Sequence, residues 1–286
     1  MSDFEQYRHE LFVLAYRLLG SAMDAEDILQ EAYLRYEHSQ GVQALRPFLY
    51  KMVTNLCIDY LRLARVQREA YFGTWLPEPI LTELPIEQVG QAYEKEESIS
   101  IAFMVLLESL SPLERAVFIL REVFDYDYAE IASTLNRSEE ACRQVFSRAK
   151  KQLHSAKARF TSEPQHHAEL VESFLEAAQT GNFEVLSQLL AEDATLVTDG
   201  GGKVSAAVHP LEGREAIMKL FIGLVRMAER EFPEGYTLTA ERINGESTLV
   251  VRDHVGVAHN VISMQIQDQK IQRLYIIRNP EKLGHL

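Results

Sequence analysis

The sequence predicts a multidomain protein in which two all-α domains, joined by a linker, are followed by an α+β domain. Apolar residues recur at helical spacing through about residue 160, and Pro77, Pro79 and Pro85 interrupt that pattern beside a run of acids. The last third alternates apolar and polar residues around an Asn244-Gly245 pair, which is a strong hairpin signal. The predicted helical domain, linker, second helical domain and α+β domain are residues 1–69, 70–97, 98–160 and 165–286.

The composition is that of an ordinary globular protein, since 47% of the 286 residues are hydrophobic and 25% are charged. Cys57 and Cys142 lie in helical apolar patterns without partners at metal-binding spacing, so we expect no disulfide framework, metal or cofactor. The N-terminus has no basic segment followed by an apolar core, and runs such as residues 101–107 are too short to span a bilayer. We therefore expect a cytoplasmic protein without membrane attachment.

Charge is unevenly distributed in this acidic chain. The net charge is −13, with 18 bases and 24 acids in residues 1–160 and 11 bases and 18 acids in residues 161–286. Residues 137–159 are the exception, because they hold seven Lys or Arg and two acids. Phosphate repels an acidic protein at long range. We therefore expect strong DNA binding only when a partner supplies affinity or masks the acids.

Three helices are predicted in the first domain. Residues 4–20 form an amphipathic helix that ends at Gly20, and Ser21 caps the next helix. That second helix has an acidic face, for which an ordinary solvated surface is the alternative. A long third helix, about residues 47–68, begins with aromatic residues and ends with bases, as single-stranded nucleic acid requires. A core helix with a basic end is the alternative there.

The linker is both apolar and stiffened by proline. Trp75, the only tryptophan, lies there with Leu76, Ile80 and Leu81. An apolar segment of this kind usually docks on another surface, and packing against its own domain is the alternative.

Residues 111–153 predict a helix followed by a helix-turn-helix. Ser111 has Pro112 after it and Glu114 at capping-box spacing, and Ser138 is a good cap for the last helix. One side of that helix is apolar, and the other carries Arg143, Gln144, Ser147, Arg148, Lys150 and Lys151. An ordinary amphipathic pair is the alternative, but the local positive charge favours DNA, with Arg and Gln suited to base edges and lysines to phosphates.

The α+β domain is predicted to have helices at residues 165–180, 183–191 and 213–231. A strand, a glycine turn and a second strand are predicted within residues 194–208. Four further strands between residues 236 and 279 complete an antiparallel sheet that the helices cover.

The motifs, taken in order, resemble those of extracytoplasmic-function sigma factors, the small bacterial transcription initiation factors. They are DAEDILQEAYLRY, RPFLYKMVTNLCIDYLR and a helix-turn-helix ending in SRAKKQL. WLPEP in the linker, DGGGKV at residues 199–204 and NPEKL near the end resemble the subgroup with a fused SnoaL-like domain. That domain has the nuclear-transport-factor-2-like cone fold.

The resemblance implies a subunit of RNA polymerase that directs promoter-specific initiation, with the core enzyme supplying DNA affinity. Core polymerase contacts would involve the β flap and the β′ clamp helices, the latter through Asp24, Asp27, Gln30, Glu31 and Arg35. The long helix and the loop before it would read the −10 element, and the helix-turn-helix the −35 element. The implied promoter DNA-binding residues are Arg46 in that loop, Asn55, Asp59, Arg62, Arg65, Ser138, Arg143, Gln144, Ser147, Arg148 and Lys151. Many members have Ser-Arg where this chain has Gln144-Val145, so the bases read stay open.

The fusion also implies regulation in cis. We hypothesise that the linker docks on the C-terminal domain and thereby fixes the spacing between the two DNA-reading domains. The residues assigned to this contact are Trp75, Leu76, Pro77, Glu78, Pro79, Asp199, Gly200, Gly201, Gly202, Lys203, Asn279, Pro280, Lys282 and Leu283.

Two other functions stay open at this point. SnoaL-like relatives include isomerases and cyclases as well as binding-only domains, so a SnoaL-type enzyme is one alternative. The candidate pocket residues are Asp199, His209, Asp253, His254, His259 and Tyr275, and no pair has a spacing that demands acid–base chemistry. A ligand-sensing one-component regulator is the other alternative. We expect a non-enzymatic sigma factor that is a monomer in the holoenzyme, and leave a small ligand of the C-terminal domain open.

Overall fold

A computed structural model describes residues 3–69, 71–82, 100–157 and 164–286. These residues form two compact units. Residues 3–69 and 104–156 belong to the first unit, whereas the linker residues 71–82 and residues 100–103 belong with the C-terminal domain to the second. The two helical segments therefore share one unit, and the described part of the linker belongs to the other.

Short polar signals set the helix boundaries in the two helical segments. The helices are α1 (Arg8–Leu19), α2 (Ala22–Glu37), α3 (Leu45–Glu69), α4 (Ile101–Leu107), α5 (Pro112–Glu122), α6 (Tyr128–Leu135) and α7 (Glu139–Lys157). The Ser21 side chain caps α2, and reciprocal capping boxes start α5 at Ser111 and α6 at Asp127. Gly20 ends α1 and Asn136 ends α6, both in the left-handed conformation. Apolar stripes of these helices then form a buried core.

The start of α3 corrects one expectation. The sequence predicts Arg46 in a loop before the long helix, but α3 already begins at Leu45 and Arg46 lies in its first turn. The backbone N–H of Phe48 donates to the carbonyl of Ala44, so helical hydrogen bonding extends further towards the N-terminus than the aromatic pattern indicates. The side chain of Arg65 lies outside the described part of the structure.

The second unit packs three helices on a six-stranded mixed sheet. Its elements are α8 (Pro164–Gln179), α9 (Phe183–Leu189), β1 (Leu190–Asp199), β2 (Leu211–Glu212), α10 (Arg214–Glu231), β3 (Tyr236–Ile243), β4 (Glu246–Asp253), β5 (Ala258–Gln267), β6 (Lys270–Ile277) and a 3-10 turn, Pro280–Lys282. The strand order is β2-β1-β6-β5-β4-β3. Phe174, Phe221, Leu196 and Leu274 belong to the apolar core between helices and sheet. The predicted fold class, helical domains followed by an α+β domain, is confirmed.

The prediction of an antiparallel sheet is wrong at one strand pair. β1 and β6 run parallel, with Leu196 opposite Leu274, whereas the other pairs are antiparallel. A parallel pair needs a long connection, and α10 with the β3–β5 meander provides it. Alternation along β1 places Asp199 on the sheet face opposite the core residue Leu196.

The predicted strand after the glycine turn is also absent. Residues 203–208 are irregular, and the strand that pairs with β1 is the short β2, where Leu211 lies opposite Leu196. The N–H groups of Lys203 and Val204 both donate to the carbonyl of Gly200, so the chain forms a closed turn over residues 200–204. Among the described residues, none of the helices combines the length and apolar character needed to cross a bilayer.

Candidate functional site

The outward surface of α7 presents the side chains that the helix-turn-helix prediction assigns to DNA. Cys142 and Ala149 on its inner side are fully buried. The exposed predicted residues are Arg143, Gln144, Ser147, Arg148 and Lys151. Ser138 caps the helix, since its hydroxyl accepts a hydrogen bond from the N–H of Ala141 at 3.2 Å. This basic surface suits base edges and phosphates.

The predicted polymerase-binding residues lie along one side of α2. Asp27, Gln30 and Arg35 are exposed, and Asp24 and Glu31 are partly buried. Arg35 Nε donates to Glu31 Oε1 at 2.7 Å within the same helix. The structure therefore brings these five residues together as a surface that is open to a partner.

A contact between α3 and α6 involves one of the predicted −10 residues. Asn55 Nδ2 donates to the carbonyl of Lys51 at 2.7 Å and to that of Thr134 at 3.3 Å. Lys51 Nζ donates to the carbonyl of Ser133 and to Asn136 Oδ1, both at 2.8 Å. Two segments that were predicted as separate DNA-reading domains are thus joined at Asn55. Sequence reasoning missed Lys51, because a lysine on a basic helix carries no sign of a specific acceptor.

The other −10 candidates have different surroundings. Arg62 Nη1 pairs with Asp59 Oδ1 at 2.9 Å on an exposed turn of α3. Arg46 instead pairs with Glu10 of α1 at 3.2 Å, and its guanidinium carbon lies 5.0 Å from the ring centroid of Tyr50. Arg46 is therefore separate from Asp59 and Arg62, near the other end of the helix.

The buried carboxylate of Asp199 is the centre of the linker contact. Asp199 is 1% exposed and lies at the end of β1. Its Oδ1 accepts hydrogen bonds from the Tyr71 hydroxyl at 2.7 Å and the Gly201 N–H at 3.0 Å. Its Oδ2 accepts from the Leu76 N–H at 2.9 Å and from Lys282 Nζ at 2.7 Å. Donors from the linker, the glycine turn and the C-terminal segment therefore converge on one side chain.

Lys282 completes this contact as a buried cation. Its Nζ lies 4.1 Å from the ring centroid of Trp75 and 5.3 Å from that of Tyr71, and it also donates to the carbonyl of Leu76. A buried ammonium is stable only when it is paired and hydrogen-bonded, and here a carboxylate, a carbonyl and two rings face it. Burial raises the pKa of Tyr71, as does the hydrogen bond to Asp199, so the phenol keeps the proton that it donates.

The glycine turn and the segment after β6 are fitted to each other. Asn279 Nδ2 donates to the Tyr71 hydroxyl at 3.1 Å. Gly201 has a φ of 61°, and a Cβ there would lie 2.4 Å from Asn279 Nδ2, so both conformation and space require glycine. Lys203 forms an ion pair with Glu281. These contacts link the two segments on either side of Asp199.

The rest of WLPEP is buried, and the residues that follow it form hydrogen bonds with the Asn244-Gly245 turn. His285 Nδ1 lies 3.3 Å from Glu78 Oε1, and its Nε2 lies 2.7 Å from the carbonyl of Pro79. The Ile80 N–H donates to Asn244 Oδ1 at 3.0 Å, and the Asn244 N–H donates back to the Ile80 carbonyl at 2.9 Å. Sequence reasoning missed Asn244 and His285 here, because the Asn-Gly pair predicts only the hairpin.

The candidate pocket residues of the C-terminal domain do not form one constellation. Asp199 belongs to the linker contact, while His259 Nε2 and Asp253 Oδ2 form a separate pair at 2.9 Å. That hydrogen bond from His259 holds the pKa of Asp253 below its usual range. Tyr275 is buried with its hydroxyl 3.3 Å from Gln265 Oε1. The structure thus separates residues that the sequence offered as one pocket.

The remaining two candidates have other surroundings. His254 pairs with Glu234 at 2.6 Å, and His209 is exposed. Over residues 3–69, 71–82, 100–157 and 164–286, no group of three or more His, Cys, Asp or Glu side chains is arranged to hold a metal ion.

Comparisons with known proteins identify the helical segments and the whole chain. The family model for sigma-70 region 2 matches residues 4–66, and that for sigma-70 region 4 matches residues 100–153. The chain is 35% identical to the ECF RNA polymerase sigma factor SigJ of Mycobacterium tuberculosis, over 99% of this chain and 92% of that protein. It is 25% identical to the probable ECF sigma factor SigI of the same species, over 98% and 93% of the two chains.

The solved structures give a matching result. The crystal structure of Mycobacterium tuberculosis SigJ superposes with a TM-score of 0.76 at 32% identity, covering 99% of this chain and 97% of that one. The likeness extends through the sigma segments, the linker and the C-terminal domain. The chain therefore belongs to the extracytoplasmic-function family of RNA polymerase sigma factors, a family that is not an enzyme class and that directs the initiation of transcription.

Proposed function

We propose that this sigma factor binds core RNA polymerase through α2 and reads promoter DNA through α3 and α7, while its C-terminal domain regulates it in cis through the linker. The exposure of Asp27 and Gln30 supports the polymerase contact, and that of Arg143 and Arg148 supports reading of the −35 element. The protein acts as a monomer in the holoenzyme, in the cytoplasm where its polymerase partner works.

The observation that carries the regulatory part is the convergence on Asp199. The linker supplies Tyr71 and Leu76 to this carboxylate, and the C-terminal segment supplies Lys282. A free linker behaves as a coil whose reach grows with its length. Residues 71–82 are fixed on the C-terminal domain, so a shorter part of the linker remains free. The distance between the −10-reading and −35-reading segments can therefore vary less. The C-terminal domain thereby selects promoters by the spacing of their two elements.

A second step of the proposal concerns Asn55. Its amide already donates to two backbone carbonyls, one of them Thr134 in α6. An amide has two N–H donors, and a base held by Asn55 needs at least one of them. A base that takes the N–H now donated to Thr134 breaks this contact between α3 and α6, and binding of core polymerase supplies the energy for that opening.

The C-terminal domain acts as a scaffold without catalysis of its own. Asp199, one of the candidate acids, is committed to the linker, and the candidates Asp253 and Tyr275 have separate partners. A turnover assay of the full chain against ketosteroid and polyketide substrates tests this. Product formation would support the alternative that the protein is a SnoaL-type enzyme.

Run-off transcription with purified core polymerase tests the regulatory proposal. The full chain is compared with Trp75→Ala and with the matched control Tyr236→Ala, an exposed aromatic residue of the same unit. Templates carry −10 and −35 elements separated by a series of spacer lengths. The full chain should prefer one spacer, Trp75→Ala should use a broader range, and the control should match the full chain. An unchanged spacer preference for Trp75→Ala would reject regulation through this contact.

A further inference from the structure

The guanidinium of Arg143 is held from two sides at the start of α7. Its Nη2 donates to Glu139 Oε2 at 2.6 Å, one helical turn earlier. Its Cζ lies 4.6 Å from the ring centroid of Tyr128, the first residue of α6. The Tyr128 ring packs edge-on against Phe146 at 6.0 Å, and Phe146 stacks on the buried Phe118. The aromatic support for Arg143 is therefore built from all three helices around the turn.

These two contacts constrain different motions of the same group. Stacking on a ring sets the plane of a guanidinium but leaves its in-plane N–H groups available. The ion pair with Glu139 then sets the rotation within that plane. Together the two contacts favour one orientation for the N–H groups of Arg143 that Glu139 does not use. A bidentate contact to O6 and N7 of guanine needs such a fork in the right plane.

Arg148 provides the contrast on the same helix. It is exposed like Arg143, yet within the described part of the chain it has no ion pair or ring contact. An unconstrained arginine suits a phosphate, which accepts hydrogen bonds over a wide range of directions and carries no sequence information. The two arginines are thus prepared for different kinds of contact.

We propose that Glu139 and Tyr128 are positioning residues that orient Arg143 for one guanine of the −35 element, whereas Arg148 contacts the DNA backbone. The inference rests on the proposed role of α7 in promoter reading. Glu139 and Tyr128 themselves touch no base. They act through Arg143, so their removal should change which base is preferred more than how much DNA is bound.

The test uses holoenzyme assembled from the full chain and core polymerase. It transcribes a barcoded library in which the −35 element is randomised, and sequencing of the barcodes gives the base preference at each position. The position at which Arg143→Ala removes the preference for guanine is the position that Arg143 contacts. At that position Glu139→Gln and Tyr128→Leu should each lower the preference for guanine roughly three- to tenfold, part of what a bidentate contact supplies. Tyr128→Phe keeps the ring and should retain the preference.

Two controls separate positioning from simple loss of charge. Glu140→Gln removes the same charge from the same exposed helical turn and should leave the base preference unchanged. In an Arg143→Ala background, Glu139→Gln should have no further effect at the guanine position.

Arg148→Ala should weaken transcription from all library members by a similar factor.

Three results would overturn the inference. One is that Glu139→Gln and Glu140→Gln change the base preference alike, which would mean that Glu139 acts only through its negative charge and does not position Arg143. Another is that Glu139→Gln changes a different position from Arg143→Ala, which would make Glu139 a direct reader of cytosine. The third is the absence of promoter-dependent transcripts from the unsubstituted protein. That result would reject the proposed function itself and the positioning role with it, whereas the first two leave the proposed function intact.

Discussion

The two units hold their functional charges in opposite ways. In the first unit, Asp27 and Arg148 are exposed. In the second unit, Asp199 and Lys282 are 1% and 8% exposed and pair with each other. Exposed charges add little to stability and remain available to a partner. A buried ion pair is different, because removing one member leaves the other charged and desolvated. Substitutions should therefore affect binding in the first unit and linker docking in the second.

The largest expected effect is that of Asp199→Asn. It leaves the Lys282 ammonium buried without its counter-charge, so we expect docking of the linker to weaken by about 3 kcal/mol. Trp75 is the only tryptophan and lies over Lys282, so its fluorescence during urea titration reports on this contact. Asp193→Asn on the exposed side of the same strand is the control and should leave the titration unchanged.

A double substitution sharpens that result. Asp199→Leu combined with Lys282→Met replaces the ion pair by apolar groups, and such replacements are often neutral. We expect the double variant to dock more firmly than Asp199→Asn. If the double variant is equally weakened, the hydrogen bonds to Tyr71 and Leu76 matter more than the charges.

The next effect is that of Tyr71→Phe. It removes one donor to Asp199 and the acceptor of the Asn279 amide, at a cost of about 1 to 2 kcal/mol. The same fluorescence titration measures it, and Tyr236→Phe on an exposed strand is the matched control. A Tyr71→Phe protein that docks as firmly as the unsubstituted one would show that Lys282 and the Leu76 N–H suffice.

A smaller, pH-dependent effect is expected at Glu246, beside the turn that pairs with Ile80. Burial raises the pKa of Glu246 from 4.5 to about 7. The folded protein then binds more protons than the unfolded one between these values, so this group makes stability fall as pH rises from about 4.5 to about 7. Burial lowers the pKa of the neighbouring His167, outweighing its hydrogen bond to Met264, so a neutral imidazole faces Glu246 at neutral pH.

Glu246→Gln isolates this contribution. The Glu246 side chain is 36% exposed, so solvent screening reduces the expected gain at pH 8 to about 1 kcal/mol. The difference between the two proteins in urea should vanish well below pH 4.5, because Glu246 is then protonated in both the folded and the unfolded protein. A difference that is constant with pH would assign the effect to packing.

Local patterns predicted the helical part of the molecule well, for reasons visible in particular residues. Capping chemistry acts over three or four residues, so Ser21, Ser111 and Gly20 mark boundaries that the structure has. Periodicity shows which side of α7 is buried, because Cys142 and Ala149 must face a core. Periodicity does not show which elements the buried side of α7 packs against, or which partner the polar side contacts.

What the sequence missed depends on contacts between distant segments. Lys51 and Asn136 are 85 residues apart, and neither carries a local sign of the hydrogen bond between them. The parallel pairing of β1 with β6 and the irregular stretch at residues 203–208 likewise follow from tertiary contacts. The residues of the glycine turn fit a hairpin, but in the structure the Gly201 N–H donates to Asp199 and Gly201 lies against Asn279.

The smallest effect on stability should come from the exposed side of α2. Asp27→Asn combined with Gln30→Ala changes groups with little to lose in the folded protein, so we expect the free energy of unfolding to stay within about 0.5 kcal/mol. Affinity for core polymerase, measured by fluorescence anisotropy of the labelled sigma factor, should fall roughly tenfold, or about 1.4 kcal/mol. Asp193→Asn should change neither quantity. Unchanged affinity would place the polymerase-binding surface elsewhere than on α2. A large loss of stability would contradict the comparison between the units, because exposed charges would then stabilise the fold as buried charges do.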